Sequence, residues 1–96
     1  MTDFTITKRE EDGEGTYYAH VEGSRSPGRL TWIERDGVRV AEHTIVPPEI
    51  GGRGVAARLV EALVADAREQ GFKIEPACSY VAAKFAEHPD WADLRA

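Results

Sequence analysis

In the stretch Val46-Pro47-Pro48-Glu49-Ile50-Gly51-Gly52-Arg53-Gly54-Val55-Ala56-Ala57, glycines occupy positions 51, 52 and 54. They stand between an apolar, strand-like run and an amphipathic, helix-like one. Glycine weakens a helix by roughly 1 kcal/mol relative to alanine, so gathering it at a helix start needs a reason. Either the turn requires it, or a ligand must come close to the backbone. A helix N-terminus leaves backbone N–H groups unpaired and carries partial positive charge. Residues without side chains let a phosphate reach those groups. This is no P-loop, because no Lys-Ser or Lys-Thr follows at the required spacing. Nor is it the dinucleotide fingerprint, because the glycines stand in the wrong order.

The thiol of Cys78 is the second group with chemical capacity. It is the one cysteine of the chain, and a helix is expected to begin beside it with Ser79 as cap. The positive end of a helix lowers a thiol pKa and favours the thiolate. The competing role for a lone cysteine is that of a small buried hydrophobe. A single cysteine excludes an internal disulfide and any multi-cysteine metal centre, and no metal is expected. His43 and Glu42 are adjacent on an expected strand. Neighbours on a regular strand face opposite sides, so Glu42 should point away from His43 unless a bulge rotates it.

These residues must be held by a small scaffold. The chain has 96 residues, which is one domain over 1–96. Its net charge of −5 disfavours a general nucleic-acid binder, which needs cations to replace phosphate counterions. No apolar run approaches the ~20 residues of a membrane span. The opening MTDFTITKREEDGEG has no signal-like apolar core. A cytoplasmic monomer is the expectation.

Residues 4–46 read as four strands. Phe4, Ile6 and Lys8 alternate with threonines until the acidic EEDGEG; Tyr17, Ala19 and Val21 alternate with Tyr18, His20 and Glu22; Leu30, Trp32 and Glu34 alternate with Thr31, Ile33 and Arg35. Asp36-Gly37 is a hairpin signal leading to the fourth strand. There Val38 and Val40 set an inward face, but Ile45 and Val46 break the alternation, which points to a β-bulge near residues 41–45. Ala56, Leu59, Val60, Leu63, Val64 and Ala67 form one helical stripe over 54–70, closed by Gly71. Phe72-Lys73-Ile74 begins a fifth strand, limited by Pro76. A second helix runs from Ser79 to His88, where Pro89 stops it. Asp90 to Leu94 is a last turn docked by Trp91 and Leu94. The helix between strands four and five acts as a crossover, making those strands parallel. The fold class is therefore α+β: a mixed, mainly antiparallel five-stranded sheet with two main helices.

The segment from Val46 to Ala56, with Leu59-Val60 after it, resembles the acetyl-CoA-binding segment of the GCN5-related N-acetyltransferases. Gly52, Gly54 and Ala56 match its motif, while Gly51 stands where Arg or Gln is usual. His43-Thr44-x-Val46-Pro47, Pro76-x-Cys78-Ser79-Tyr80-Val81 and His88-Pro89 together resemble a short stand-alone branch, similar to N-acetyltransferase domain-containing protein 1, over roughly residues 4–94.

The resemblance implies a three-layer-like fold with strands four and five splayed, and acetyl-CoA as cosubstrate. Its pyrophosphate would lie on the amides of Gly51, Gly52, Arg53, Gly54, Val55, Ala56 and Ala57. Its pantetheine arm would pair with the backbone of Thr44, Ile45 and Val46. The implied reaction is acetyl transfer to a primary amine: a lysine side chain, including one on a protein partner, a polyamine or a small amine. Cys78 would act as proton donor or acyl carrier, His43 as base, and Glu42 as the alternative base. Ala86 stands where many members carry a tyrosine, so a CoA-binding module with little catalysis is the alternative. The short link between strands one and two leaves no room for the helix pair that helps form the acceptor site in larger relatives.

Overall fold

The computed structural model describes residues 4–96; the first three residues of the expected domain lie outside them. The chain forms β1 (Phe4–Glu11), β2 (Glu14–Val21), β3 (Gly28–Arg35) and β4 (Val38–Ile45). A 3-10 turn (Pro48–Ile50) leads to α1 (Val55–Gln70). Then come β5 (Lys73–Pro76), α2 (Ser79–Glu87) and a final 3-10 segment (Pro89–Leu94). The sheet order is β1-β2-β3-β4-β5. The first three pairings are antiparallel and β4–β5 is parallel, as expected.

Two tight turns build the meander. Asp12-Gly13 and Asp36-Gly37 all have positive φ, between 51° and 78°. That is the backbone of the two-residue hairpin turn whose twist matches the strands. The first turn is tighter than the acidic run suggests. β1 continues to Glu11 and β2 resumes at Glu14, so these glutamates belong to the strands.

Both helices lie on one face of the sheet. Tyr17, Ala19, Leu30, Trp32, Ala41 and Ile74 supply the sheet side of the core. The α1 stripe and Val81, Phe85, Trp91 and Leu94 cover it. Gly28 is required at the start of β3, since a Cβ there would lie 2.7 Å from Val55 Cγ1 of α1. Gly71 ends α1 in the left-handed conformation, its N–H donating to Ala67 O at 2.8 Å. His88 stacks on Trp91 at 3.9 Å between ring centroids, so it serves packing.

β4 departs from expectation. Val40 pairs with Ile33, whereas Ala41 pairs with the core residue Trp32. The inward residues of the first half are therefore Arg39 and Ala41, not Val38 and Val40. Arg39 is buried with its two terminal nitrogens paired, although its Nε has no hydrogen-bond partner. Its guanidinium lies 3.6 Å from the Trp32 ring centroid and 4.0 Å from that of Phe72. It donates to Tyr17 Oη at 2.8 Å, and that hydroxyl donates to Asp66 at 2.8 Å. Lys8 completes the group with a 2.7 Å ion pair to Asp66.

Candidate functional site

The site begins where sheet pairing stops. β4 and β5 pair only from Val38↔Lys73 to Ala41↔Pro76. Beyond that, the Cys78 N–H donates to Ala41 O at 2.8 Å and the chain turns into α2. Glu42 to Ile45 continue along β3 with no β5 partner on their other side. An exposed row of strand N–H and C=O groups is a template for another extended chain.

The bulge falls within the expected window. Thr31 pairs with His43 and Trp32 with Ala41, leaving Glu42 as the extra residue. One inserted residue changes which face each later side chain occupies. Ala41 and Thr44 thus share the helix-covered face, opposite Trp32 and Leu30, while Glu42 and His43 lie between them on the open face. The rotation that would align Glu42 with His43 has occurred.

The exchange brings Thr44 to Cys78. Thr44 Oγ1 and Cys78 Sγ are 3.4 Å apart. The residue at the thiol is therefore Thr44, not His43, which is exposed on the far face beside Thr31. Cys78 occupies the N-cap of α2, and Ser79 is the first helical residue rather than the cap. Burial alone would push the thiol pKa up. The Thr44 hydroxyl and the amides of Val81, Tyr80 and Thr44 outweigh burial and hold it below the usual thiol value. The Cys78 side chain makes no regular helix-capping hydrogen bond.

The glycine loop lies between β4 and α1. Gly52 and Gly54 have φ of 75° and 76°, a region that side-chain-bearing residues avoid. Gly51 is ordinary extended backbone, with φ −67° and ψ 153°. A Cβ at Gly52 or Gly54 would meet nothing within 4 Å, so the space over the loop is open. Gly54 is the N-cap of α1, no side chain caps that end, and no acidic residue stands in its first turn. The positive end of the helix is left for an anion. Val55 is buried, Ala56 and Ala57 are half-buried, and Arg53 is exposed. Arg58 pairs with Glu61 at 3.9 Å. Open space, free helix polarity and small residues fit a phosphate group; the exposed β4 backbone fits an extended arm.

On the open face of the sheet, Glu42, Tyr18, Thr31 and Ile33 line a cavity of about 430 Å³, with Glu11 and Glu14 at the β1–β2 end. Nothing in the alternation pattern marked this cavity, because its walls come from four strands. Among the described residues no cluster of His, Cys, Asp or Glu is arranged to hold a metal. No helix among them is long and apolar enough to cross a membrane.

Against known proteins, residues 16–94 match the family model described as GCN5-related N-acetyl-transferase. A search of curated proteins found no match.

Proposed function

Because the chain belongs to the GCN5-related N-acetyltransferase family, we propose that it moves an acetyl group from acetyl-CoA to a primary amine at the β4–β5 gap. The observation that carries this reading is the meeting of Thr44 and Cys78 at 3.4 Å, where β5 leaves β4. The loop amides from Gly52 to Ala57 hold the pyrophosphate, the expected Gly51 amide being taken by Pro48 O at 3.1 Å, and the edge of Thr44, Ile45 and Val46 that has no β5 partner holds the pantetheine arm. The thioester then lies against Cys78.

The chain's residues divide the proton work. The amine must lose a proton before it attacks the thioester carbon, and Glu42, with His43 beside it, accepts that proton on the open face. The new N–C bond forms as the C–S bond breaks. Cys78 gives its proton to the departing sulfur and is restored by the second proton that the acylated nitrogen sheds; a thiol of lowered pKa is the better donor. In the carrier version, the Cys78 thiolate takes the acetyl group first and passes it to the amine, ending as thiolate. The finer likeness to the short stand-alone branch rests on the three motifs around His43, Cys78 and His88.

A second reading has one observation behind it. Ala86 is exposed on α2 and offers no proton donor where many relatives place a tyrosine. The chain would then bind CoA with little catalysis.

Replacing Cys78 with alanine separates these. Calorimetry should show acetyl-CoA binding retained, while amine acetylation falls about 100-fold, the scale of a lost acid–base group. Incubation with acetyl-CoA alone, read by mass spectrometry, separates the roles: an acetyl adduct on Cys78 that an amine removes marks the carrier, and its absence marks the donor. Unchanged turnover in Cys78→Ala returns the thiol to packing. Binding without turnover in the unmodified chain, over an amine panel, establishes the second reading.

A further inference from the structure

The open face of the sheet holds a charge pattern that the transfer reaction alone does not use. The cavity of about 430 Å³ is lined by Glu11, Glu14 and Glu42 against a single cation, Arg9. Arg9 lies 3.6 Å from Glu11. Tyr18 and Ile33 add apolar wall. Thr31 lines the same cavity, and its hydroxyl oxygen is buried without a hydrogen-bond partner. A buried polar atom left unpaired in a folded protein calls for an explanation; rotation of the Thr31 side chain toward a donor in the cavity supplies one.

The positions of the carboxylates define a length. Glu42 is the bulge residue, next to Ala41, whose carbonyl receives the Cys78 N–H. Glu14 pairs with Ile33, which pairs with Val40 of β4. Glu14 and Glu42 are thus two strand spacings apart, roughly 10 Å across the sheet. One end of the cavity is walled by Glu42, the next residue after Ala41, where β5 leaves β4, and the other end carries its own negative charge.

We propose that this cavity is the acceptor subsite and that it takes an aliphatic polyamine. The inference rests on the acetyltransferase reading above and names its substrate class. The reacting amine lies at Glu42. A second ammonium lies between Glu14 and Glu11, the methylene chain runs along Tyr18 and Ile33, and an N–H of the chain donates to Thr31 Oγ1. A monoamine fills only the reacting end. The subsite is built directly on the sheet because the two-residue turn Asp12-Gly13 leaves this face uncovered.

The test compares spermidine, putrescine, n-butylamine and a basic lysine peptide as acceptors, with acetyl-CoA as donor. Spermidine should exceed n-butylamine in kcat/KM by about tenfold, the combined scale of two partly exposed charge contacts. Added salt should shrink that ratio. In the double variant Glu11→Gln, Glu14→Gln the ratio should fall close to one. Both residues are exposed, so the fold tolerates the change, and Glu14→Lys is the independent check, expected to take the ratio below one. Equal use of spermidine and n-butylamine, a ratio unmoved in the variants, or preference for the peptide overturns the proposal. If no amine is acetylated, the transfer reading fails, and an NMR titration with spermidine decides the subsite separately. Shifts concentrated at Gly15, Thr16 and Thr31 sustain it, and shifts elsewhere or none remove it.

Discussion

Gly51 and Gly54 stand in one loop, yet only Gly54 needs to be glycine for its backbone. Its φ is 76°, whereas Gly51 is extended at φ −67°. Gly54→Val should therefore lose about 1–2 kcal/mol of stability through left-handed strain. Its side chain would also enter the open space above the loop, so acetyl-CoA affinity should fall further than stability does. Gly51→Gln should stay within about 0.5 kcal/mol in a thermal melt and bind acetyl-CoA at least as well, since its Cβ meets only the backbone oxygens of Pro48 at 3.4 Å and Pro47 at 4.0 Å. At Cys78 the prediction is one of pH. The lowered thiol pKa means that thiolate appears at lower pH than for a free cysteine. The midpoint of an iodoacetamide rate profile should therefore lie below that of a model thiol. Thr44→Val removes one of the groups that lowers it, and should move the midpoint up. A midpoint that ignores Thr44 would show that the contact is incidental.

At the scale of elements, α1 depends on a strand. Gly28→Ala would drive a methyl into Val55, the first residue of α1. Overpacking of this kind costs about 1–3 kcal/mol. Because the displaced turn carries the loop amides, acetyl-CoA affinity should drop with it, while Gly23→Ala, a positive-φ position with no neighbour, should lose stability without a comparable loss of affinity. Much of this architecture was legible in the sequence. The alternation in β2 and β3, the helical stripe of α1 and the parallel return of β5 follow from residue type and spacing. The phase of β4 did not, because hydrophobicity marks valines as inward and cannot see that Arg39 is sandwiched by Trp32 and Phe72. The phase change itself was visible, and with it the bulge. What remained hidden was its product: Thr44 joining Cys78 depends on parity across residues 34 apart. Glu42 carries that parity as a surplus residue. Its deletion would regularise the ladder with Thr44 still opposite Leu30, so the Thr44–Cys78 contact should survive while the open-face carboxylate is lost; an insertion beside it would instead turn Thr44 away from the thiol.

Across the whole molecule, Tyr17, Asp66, Arg39 and Lys8 tie β1, β2 and β4 to α1 away from the gap. Burial first, and then the hydrogen bond to Asp66, push the Tyr17 pKa far above its ordinary value. A free tyrosine ionises near pH 10, roughly. The folded chain keeps this proton where the unfolded chain loses it, so the stabilisation is complete below about pH 10 and declines as pH rises beyond it. Denaturant melts should show that alkaline decline, and Tyr17→Phe should flatten it. Asp66→Ala should cost about 3 kcal/mol, because it strips the buried network of its anion; a small loss would show that Lys8 and Arg39 find water instead.

The sheet fills in the order in which its strands occur. A chain emerging from a ribosome can therefore close β1–β2, β2–β3 and β3–β4 as successive local hairpins, each without waiting for distant sequence. Thr44 arrives with the third hairpin, but its partner Cys78 follows only after the α1 crossover and β5. Assembly of the thiol pocket is thus the late, non-local event in the folding of an otherwise local chain.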